Sequence, residues 1–258
     1  MEDAGKKNIL ILVPHPDDEI VACMAALRRA QQTGACVFAL YLTHGCLARH
    51  TLWPWQRKNY EKYVERRRKE SEEVAAYLSI TSLGRSMRAA RHLWCDLPIV
   101  FDEICQVLKR HPIDEVWVPA YEGGNADHDA LNAVGTILSK RVKVIEFAEY
   151  NYNHGTKSSQ KFLFVNGSES DLYLTSEEQK TKRFALDLYQ SEKINLNYVD
   201  IKRESHRPLV CYDYSVPAHK GILWYQRFQW VPFRHPRVDF TDPQQVSNAI
   251  LEFMATQA

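Results

Sequence analysis

Apolar and polar positions along the chain alternate between short continuous apolar runs and longer stretches that are apolar on one face only. NILILV at 8–13 is a run of strand length without a polar break, the pattern of a central strand covered on both faces. From 18 to 32 the apolar positions Ile20, Met24 and Leu27 share one helical face, and Gly34 stands where such a helix would stop. CVFALYL at 36–42 predicts a second strand, 44–55 a long loop at its carboxyl end, and 58–78 a long charged helix. A short strand is expected at 91–95 and a helix over 99–110, closed by His111-Pro112 because a residue before proline is pushed out of the helical region. EVWVP at 115–119, a helix over 127–139 and VKVIEF at 142–147 complete five strands alternating with helices. That order predicts an α/β fold, a Rossmann-like, doubly wound, mostly parallel sheet with helices on both faces.

Beyond position 149 the pattern weakens. A hairpin is expected over 161–174, and Ser176 opens a helix whose first turn carries Glu177 and Glu178, where negative charge suits the helix dipole. The stretch 207–240 holds many aromatic residues and four prolines, and is expected to wrap the surface as ordered irregular structure. No repeat, low-complexity tract or linker-like shift divides the chain. One domain is expected over 1–258, with a core at about 7–205 and an irregular, aromatic-rich C-terminal extension at about 206–258.

Charge narrows the choice of partners. Thirty-three Lys plus Arg against thirty-two Asp plus Glu give a formal charge of +1, which opposes any broad attraction to nucleic acid or an anionic membrane but leaves room for a local anion site. The RRRK run at 66–69 is the one feature favouring a nucleic-acid module. The start, MEDAGKKNILILV, lacks a cleavage site and reads as the approach to the first strand, and no window approaches the ~20 apolar residues that a membrane span needs. Cysteines at 23, 36, 46, 95, 105 and 211 form no CxxC pair, so reduced thiols and a cytoplasmic location are expected.

Two polar clusters stand where loops would leave the carboxyl ends of strands, the edge at which doubly wound folds bind ligands. In PHPDDE at 14–19, His15 and Asp18 can converge from a tight turn, and imidazole with carboxylate is zinc chemistry. Asp17 or Asp18 could equally cap the following helix. In YEGGNADHDA at 121–130, His128 can complete a His-Asp-His set that leaves a position for water; Asp127 as a cap and His128 as a surface histidine are the alternatives. Two such loops in equivalent positions favour the metal. A nucleotide-binding Rossmann protein is opposed by VPHPDDE, where a GxGxxG phosphate cradle would be required.

On these residues the chain resembles the LmbE/PIG-L-like family of zinc-dependent N-acetylglucosaminyl N-deacetylases, with His15 to Glu19 as one signature and Asn125 to His128 as the other. Weaker similarity covers Arg67 to Glu70 and Lys182 to Ser191, so that the likeness spans most of 7–205. The resemblance implies His15, Asp18 and His128 as metal ligands, Zn2+ as the cofactor with Fe2+ or Mn2+ accepted by the same donors, and Asp17 as the base that takes a proton from metal-bound water. It further implies Arg67 as a substrate-binding residue, although spacing alone also allows a solvated helix face, and a small-molecule N-acetyl sugar conjugate as substrate. Many members have histidine at the position of Asn125, which cannot titrate but can donate a hydrogen bond to an oxyanion. The proton for the leaving amine then falls to Asp17 or a group such as Tyr121. Gly123 stands where some members have tyrosine. Trp53, Trp55, Arg49 and Arg57 are candidates to stack on a sugar or hold an anionic aglycone. A metal-binding but catalytically weak carbohydrate-recognition protein is the alternative function, and nothing in the pattern opposes a homo-oligomer.

Overall fold

The computed structural model describes residues 6–257; the first five residues of the approach to the first strand lie outside the described residues. In chain order the regular elements are β1 (Asn8–Val13), α1 (Asp18–Val21), α2 (Met24–Gln32), β2 (Cys36–Tyr41), α3 (Pro54–Arg57), α4 (Tyr60–Tyr77), β3 (Thr81–Arg85), α5 (Leu97–Arg110), β4 (Glu115–Pro119) and α6 (Ala126–Leu138). There follow β5 (Lys143–Phe147), β6 (Tyr150–Asn151), β7 (Ser158–Ser159), β8 (Ser170–Tyr173), α7 (Ser176–Leu188), β9 (Arg203–Pro208) and α8 (Pro243–Thr256).

Seven strands form one sheet in the order β3-β2-β1-β4-β5-β9-β8. The first five run parallel, and β9 and β8 extend the sheet in antiparallel register. NILILV earns the central place because its side chains are apolar on both faces: Leu10 and Leu12 enter one core, Ile9, Ile11 and Val13 the other. All five are essentially inaccessible to solvent, and each such burial contributes about 1.5–3 kcal/mol. The chain order reverses between β1 and β4, which pair directly through Ile9 with Glu115 and Ile11 with Trp117. The loops after these two strands therefore open into the same crevice.

Several expectations are corrected. The helix expected over 18–32 is broken at Ala22 and Cys23, and α2 starts afresh with the backbone N–H groups of Ala25 and Ala26 donating to Glu204, each at 3.0 Å. The third strand lies at Thr81–Arg85, not at 91–95. Arg91 has φ of 68°, and the N–H groups of Arg91 and Leu93 donate to Asp127 at 2.7 and 2.9 Å, so this stretch satisfies its backbone without a sheet partner. The expected hairpin at 161–174 does not form; its last residues become β8 and pair with β9. Residues 209–242 are largely irregular as expected, with one short 3-10 turn at Trp224–Gln226, but the extension also ends in a regular helix, α8, whose Ile250 and Phe253 are buried in the core with α5 and α6. Among the described residues no helix is long and apolar enough to cross a membrane. The six cysteines are unpaired.

Candidate active site

The turn after β1 carries His15, Asp17 and Asp18, all largely buried. Pro16 cannot continue the sheet, and the chain reverses through Asp17 at φ 133° and ψ −26°, a conformation that L residues rarely adopt and that costs on the order of 1–3 kcal/mol. The Asp17 carbonyl then starts α1, accepting from the N–H groups of Ile20 and Val21 at 2.9 Å. Glu19 faces inward, bonded by the Tyr189 hydroxyl at 2.6 Å, and accepts the Asp17 N–H at 2.9 Å. This strained corner throws Asp17 and Asp18 towards the same side.

The turn after β4 delivers the rest. Asn125 caps α6, its side-chain oxygen accepting the Asp127 N–H at 2.9 Å, and His128 lies in the first turn. Gly124 passes so close to the chain beyond β5 that a Cβ would sit 2.3 Å from the Tyr150 carbonyl oxygen. His15, Asp18 and His128 consequently converge, with one donor atom from each within 4.8 Å of the others. His15 Nδ1 is 3.2 Å from His128 Nε2, and Asp18 Oδ2 lies 3.3 and 3.2 Å from those two nitrogens.

What stands behind the imidazoles fits a divalent ion. His15 Nε2 meets Asp127 Oδ2 at 2.9 Å, and His128 Nδ1 lies 2.9 Å from Glu149 Oε2. A carboxylate behind each ring fixes its tautomer and leaves the other nitrogen aimed at the shared point, the usual support of a metal-bound histidine. Two imidazole nitrogens and one carboxylate oxygen form a facial donor set suited to zinc, iron or manganese. Burial pulls His15 down, yet Asp127 and Asp18 hold it up at about 9. His128 is likewise held well above its ordinary value against burial, by Glu149 and Asp18. Excess negative charge in a buried place is a site that asks for a cation.

Asp17 stands beside this cluster and outside it. Its carboxylate is 3.1 Å from Arg67 Nη2. Burial pushes the Asp17 carboxyl well above the usual range, and the Arg67 guanidinium opposes that rise. Arg67 belongs to the buried face of α4 and not to a solvated one: it is 2 % exposed, lies 5.0 Å from the Tyr189 ring, and donates to the Pro16 carbonyl and to Ser191 Oγ. Gly45, at φ 75°, makes room for it, since a Cβ there would come within 2.9 Å of Arg67 Nε.

His15, Asp17, Asp18 and Arg67 line a cleft of about 640 Å³, whose wall also includes Asn125, Tyr150, Tyr198, Trp224 and Arg227. Three expectations fail here. Tyr121 is buried with its hydroxyl donated to the Val216 carbonyl at 2.6 Å, outside the cleft lining, so it has no proton to offer an amine. Trp53 and Trp55 stack on each other at 5.2 Å and are not part of the cleft wall. Arg57 donates to the Leu52 and His50 carbonyls, and neither it nor Arg49 lines the cleft. The aromatic wall is built instead by Tyr150, Tyr198 and Trp224. The sequence pattern offers Asp127 only as a cap, and the one signal for Glu149 is that it follows β5 just as His15 follows β1.

The sequence profile of the PIG-L family, described as GlcNAc-PI de-N-acetylase, matches residues 10–138, half of the chain and the segment that carries both turns. The chain belongs to the PIG-L family. Its fold is shared with teicoplanin deacetylase Orf2, solved in a zinc-inhibited form, at 18% identity and a TM-score of 0.61 over 80% of this chain and 99% of that one. The A40926 pseudoaglycone deacetylase Dbv21 is similar at 16% identity and a TM-score of 0.59, over 81% and 99% of the two chains. GalB, the 4-carboxy-2-hydroxymuconate hydratase from Pseudomonas putida KT2440, shares the fold at 14% identity and a TM-score of 0.51, over 80% and 98%. No curated protein matches the sequence. Since one fold carries both deacetylases and a hydratase, the function of this PIG-L family member has to be argued from its site.

Proposed function

We propose that the protein is a metal-dependent hydrolase that removes the acetyl group from the amide nitrogen of an N-acetylated amino sugar conjugate. The observation that carries this reading is the placement of the Asp17 carboxylate: buried, held by Arg67, adjacent to a His15-Asp18-His128 donor set and open to the cleft. Family membership and the deacetylases that share the fold support it.

His15, Asp18 and His128 would hold a divalent ion, which when bound would supply Lewis acidity towards the acetamide carbonyl and towards water. Asp17 would accept a proton from that water at its carboxylate, whose pKa burial raises and Arg67 lowers. Asp17 then delivers the proton to the departing amine. Arg67 keeps the carboxylate pointed into the cleft, and its charge opposes the rise in pKa that burial imposes on Asp17. Asn125 has committed its oxygen to the Asp127 N–H, so its amide N–H group is the part left to face the cleft and to stabilise the oxyanion.

The test combines elemental analysis with amine release from a panel of N-acetyl sugars. The native chain is expected to carry about one divalent ion and His128→Ala to lose it. Asp17→Asn is expected to keep the ion while hydrolysis falls by roughly 10²–10⁴-fold. Full activity in Asp17→Asn would remove the base, and silence of the metal-loaded native chain across the panel would overturn the assignment.

A further inference from the structure

Asp17 accounts for the proton in the proposed hydrolysis, but the charge that grows on the acetamide oxygen needs hydrogen-bond donors as well. Asn125 supplies an amide group and no titrating proton. The cleft wall beside it holds a hydroxyl that the hydrolysis leaves unused, that of Tyr150.

Tyr150 opens β6 directly after Glu149, and its backbone N–H donates to Glu122 Oε1 at 3.1 Å, which pins it to the turn after β4. Gly124 leaves the space that the ring occupies, since a Cβ there would lie 3.0 Å from Tyr150 Cε2. The ring meets His128 edge-on at 5.8 Å and packs against Tyr198 at 5.0 Å and Trp224 at 5.4 Å. These neighbours leave the phenol little freedom to turn, which is the preorganisation that an oxyanion donor needs.

The side-chain amide that reaches the Tyr150 hydroxyl is that of Asn125. Asn125 Oδ1 is already taken by the Asp127 N–H, so it is the amide nitrogen that faces the phenol. An amide N–H donates and a phenolic oxygen accepts, and this contact therefore leaves the O–H proton uncommitted. Burial, with the Glu149 and Asp18 carboxylates, pushes the Tyr150 pKa well above its ordinary value against the pull of the Asn125 amide, so the phenol keeps its proton across the neutral range. Arg67, the buried cation of the cleft, is committed to Asp17 and to the Pro16 carbonyl.

We propose that the Tyr150 hydroxyl is a second hydrogen-bond donor to the acetamide oxygen as the tetrahedral centre forms, with the Asn125 amide beside it as the group that orients it. This rests on the deacetylase reading. Water adds to the carbonyl carbon, its proton goes to Asp17, and the carbonyl π pair moves onto the oxygen. Tyr150 donates a hydrogen bond to that oxygen and keeps its proton. When the C–N bond breaks, the pair on oxygen re-forms the carbonyl and the proton on Asp17 goes to the amine. Because the bond from Tyr150 strengthens only as charge develops, its loss is felt in kcat and not in substrate binding.

The experiment compares the metal-loaded native chain with Tyr150→Phe, which removes one oxygen and keeps the ring packed by Tyr198 and Trp224. On the N-acetyl sugar that the native chain hydrolyses fastest, kcat is expected to fall roughly 10²-fold with KM within about twofold, at unchanged metal content and melting temperature. A second measurement needs no turnover. The N-methylphosphonyl derivative of methyl glucosaminide carries a tetrahedral centre with a charged oxygen, and methyl glucosaminide itself does not. Tyr150→Phe is expected to weaken binding of the first by about tenfold or more and to leave the second within about twofold. Native kcat in Tyr150→Phe, or an equal loss of affinity for both ligands because the cleft has merely shifted, would overturn the donor while hydrolysis by the native chain leaves the deacetylase reading standing. A native chain silent on every N-acetyl sugar removes that reading, and the role of Tyr150 with it.

Discussion

Asp127 makes no contact with the shared point at which His15, Asp18 and His128 meet, yet it decides whether His15 can serve there. Its Oδ2 meets His15 Nε2 and accepts the Arg91 N–H, while its Oδ1 accepts the Leu93 N–H, so one carboxylate ties the ring to the loop at 91–94. Asp127→Asn presents an N–H to one of these partners and loses the charge behind the imidazole. Metal affinity is expected to fall by about 10–100-fold, read by competition with a chromophoric chelator. At this scale the convergence of the three donors was legible from two polar loops in equivalent positions after their strands, although each loop alone also fitted a helix cap. Asp127 and Glu149 were not, since support of a neighbour's ring leaves no spacing signature. Arg67 was ambiguous for a different reason: α4 carries charge on nearly every face, and periodicity could not show that Tyr189 and Asp17 from elsewhere would enclose one of those charges. Tyr121 failed because its hydroxyl is claimed by Val216, a partner 95 residues away.

Among the elements, α2 depends on a partner remote in sequence. Its first turn is satisfied by Glu204 of β9, and the charge of Glu204 is balanced by Lys182 Nζ of α7 at 2.8 Å, with both side chains wholly buried. Lys182→Met leaves that carboxylate inside the protein with backbone donors and no counter-charge. A loss of about 3 kcal/mol is expected, visible as a lowered melting temperature in thermal unfolding. Elements with strong patterns were readable from the sequence: β1, β2, β4 and β5 from apolar runs, α7 from Ser176 followed by Glu177 and Glu178 in its first turn. β3 escaped because TSLGR is a polar edge strand with little to bury, while Leu93 and Trp94, in the stretch that looked like a strand, are spent on the anchor to Asp127.

For the molecule as a whole, the doubly wound, mostly parallel class was legible and the antiparallel extension was not, because β8 and β9 carry no alternation that announces their pairing. Nor was α8, which packs Val246, Ile250 and Phe253 into the same core as Phe101 of α5 and the inner face of α6. A chain ended after Asp242 would expose those three side chains and their partners, each worth about 1.5–3 kcal/mol, a sum comparable with the net stability of an ordinary domain. Such a chain is expected to lose cooperative thermal unfolding and to bind hydrophobic dyes. The pairing of β1 with β4 has a longer reach. Because ladder hydrogen bonds between these strands fix the separation of the two reactive turns, loops and late segments that shape the cleft opening can be exchanged while the chemistry keeps its dimensions. Grafting a different stretch in place of 194–198 or 224–228, which leaves β9 and Glu204 untouched, is therefore a rational route to redirect selectivity on an unaltered donor set.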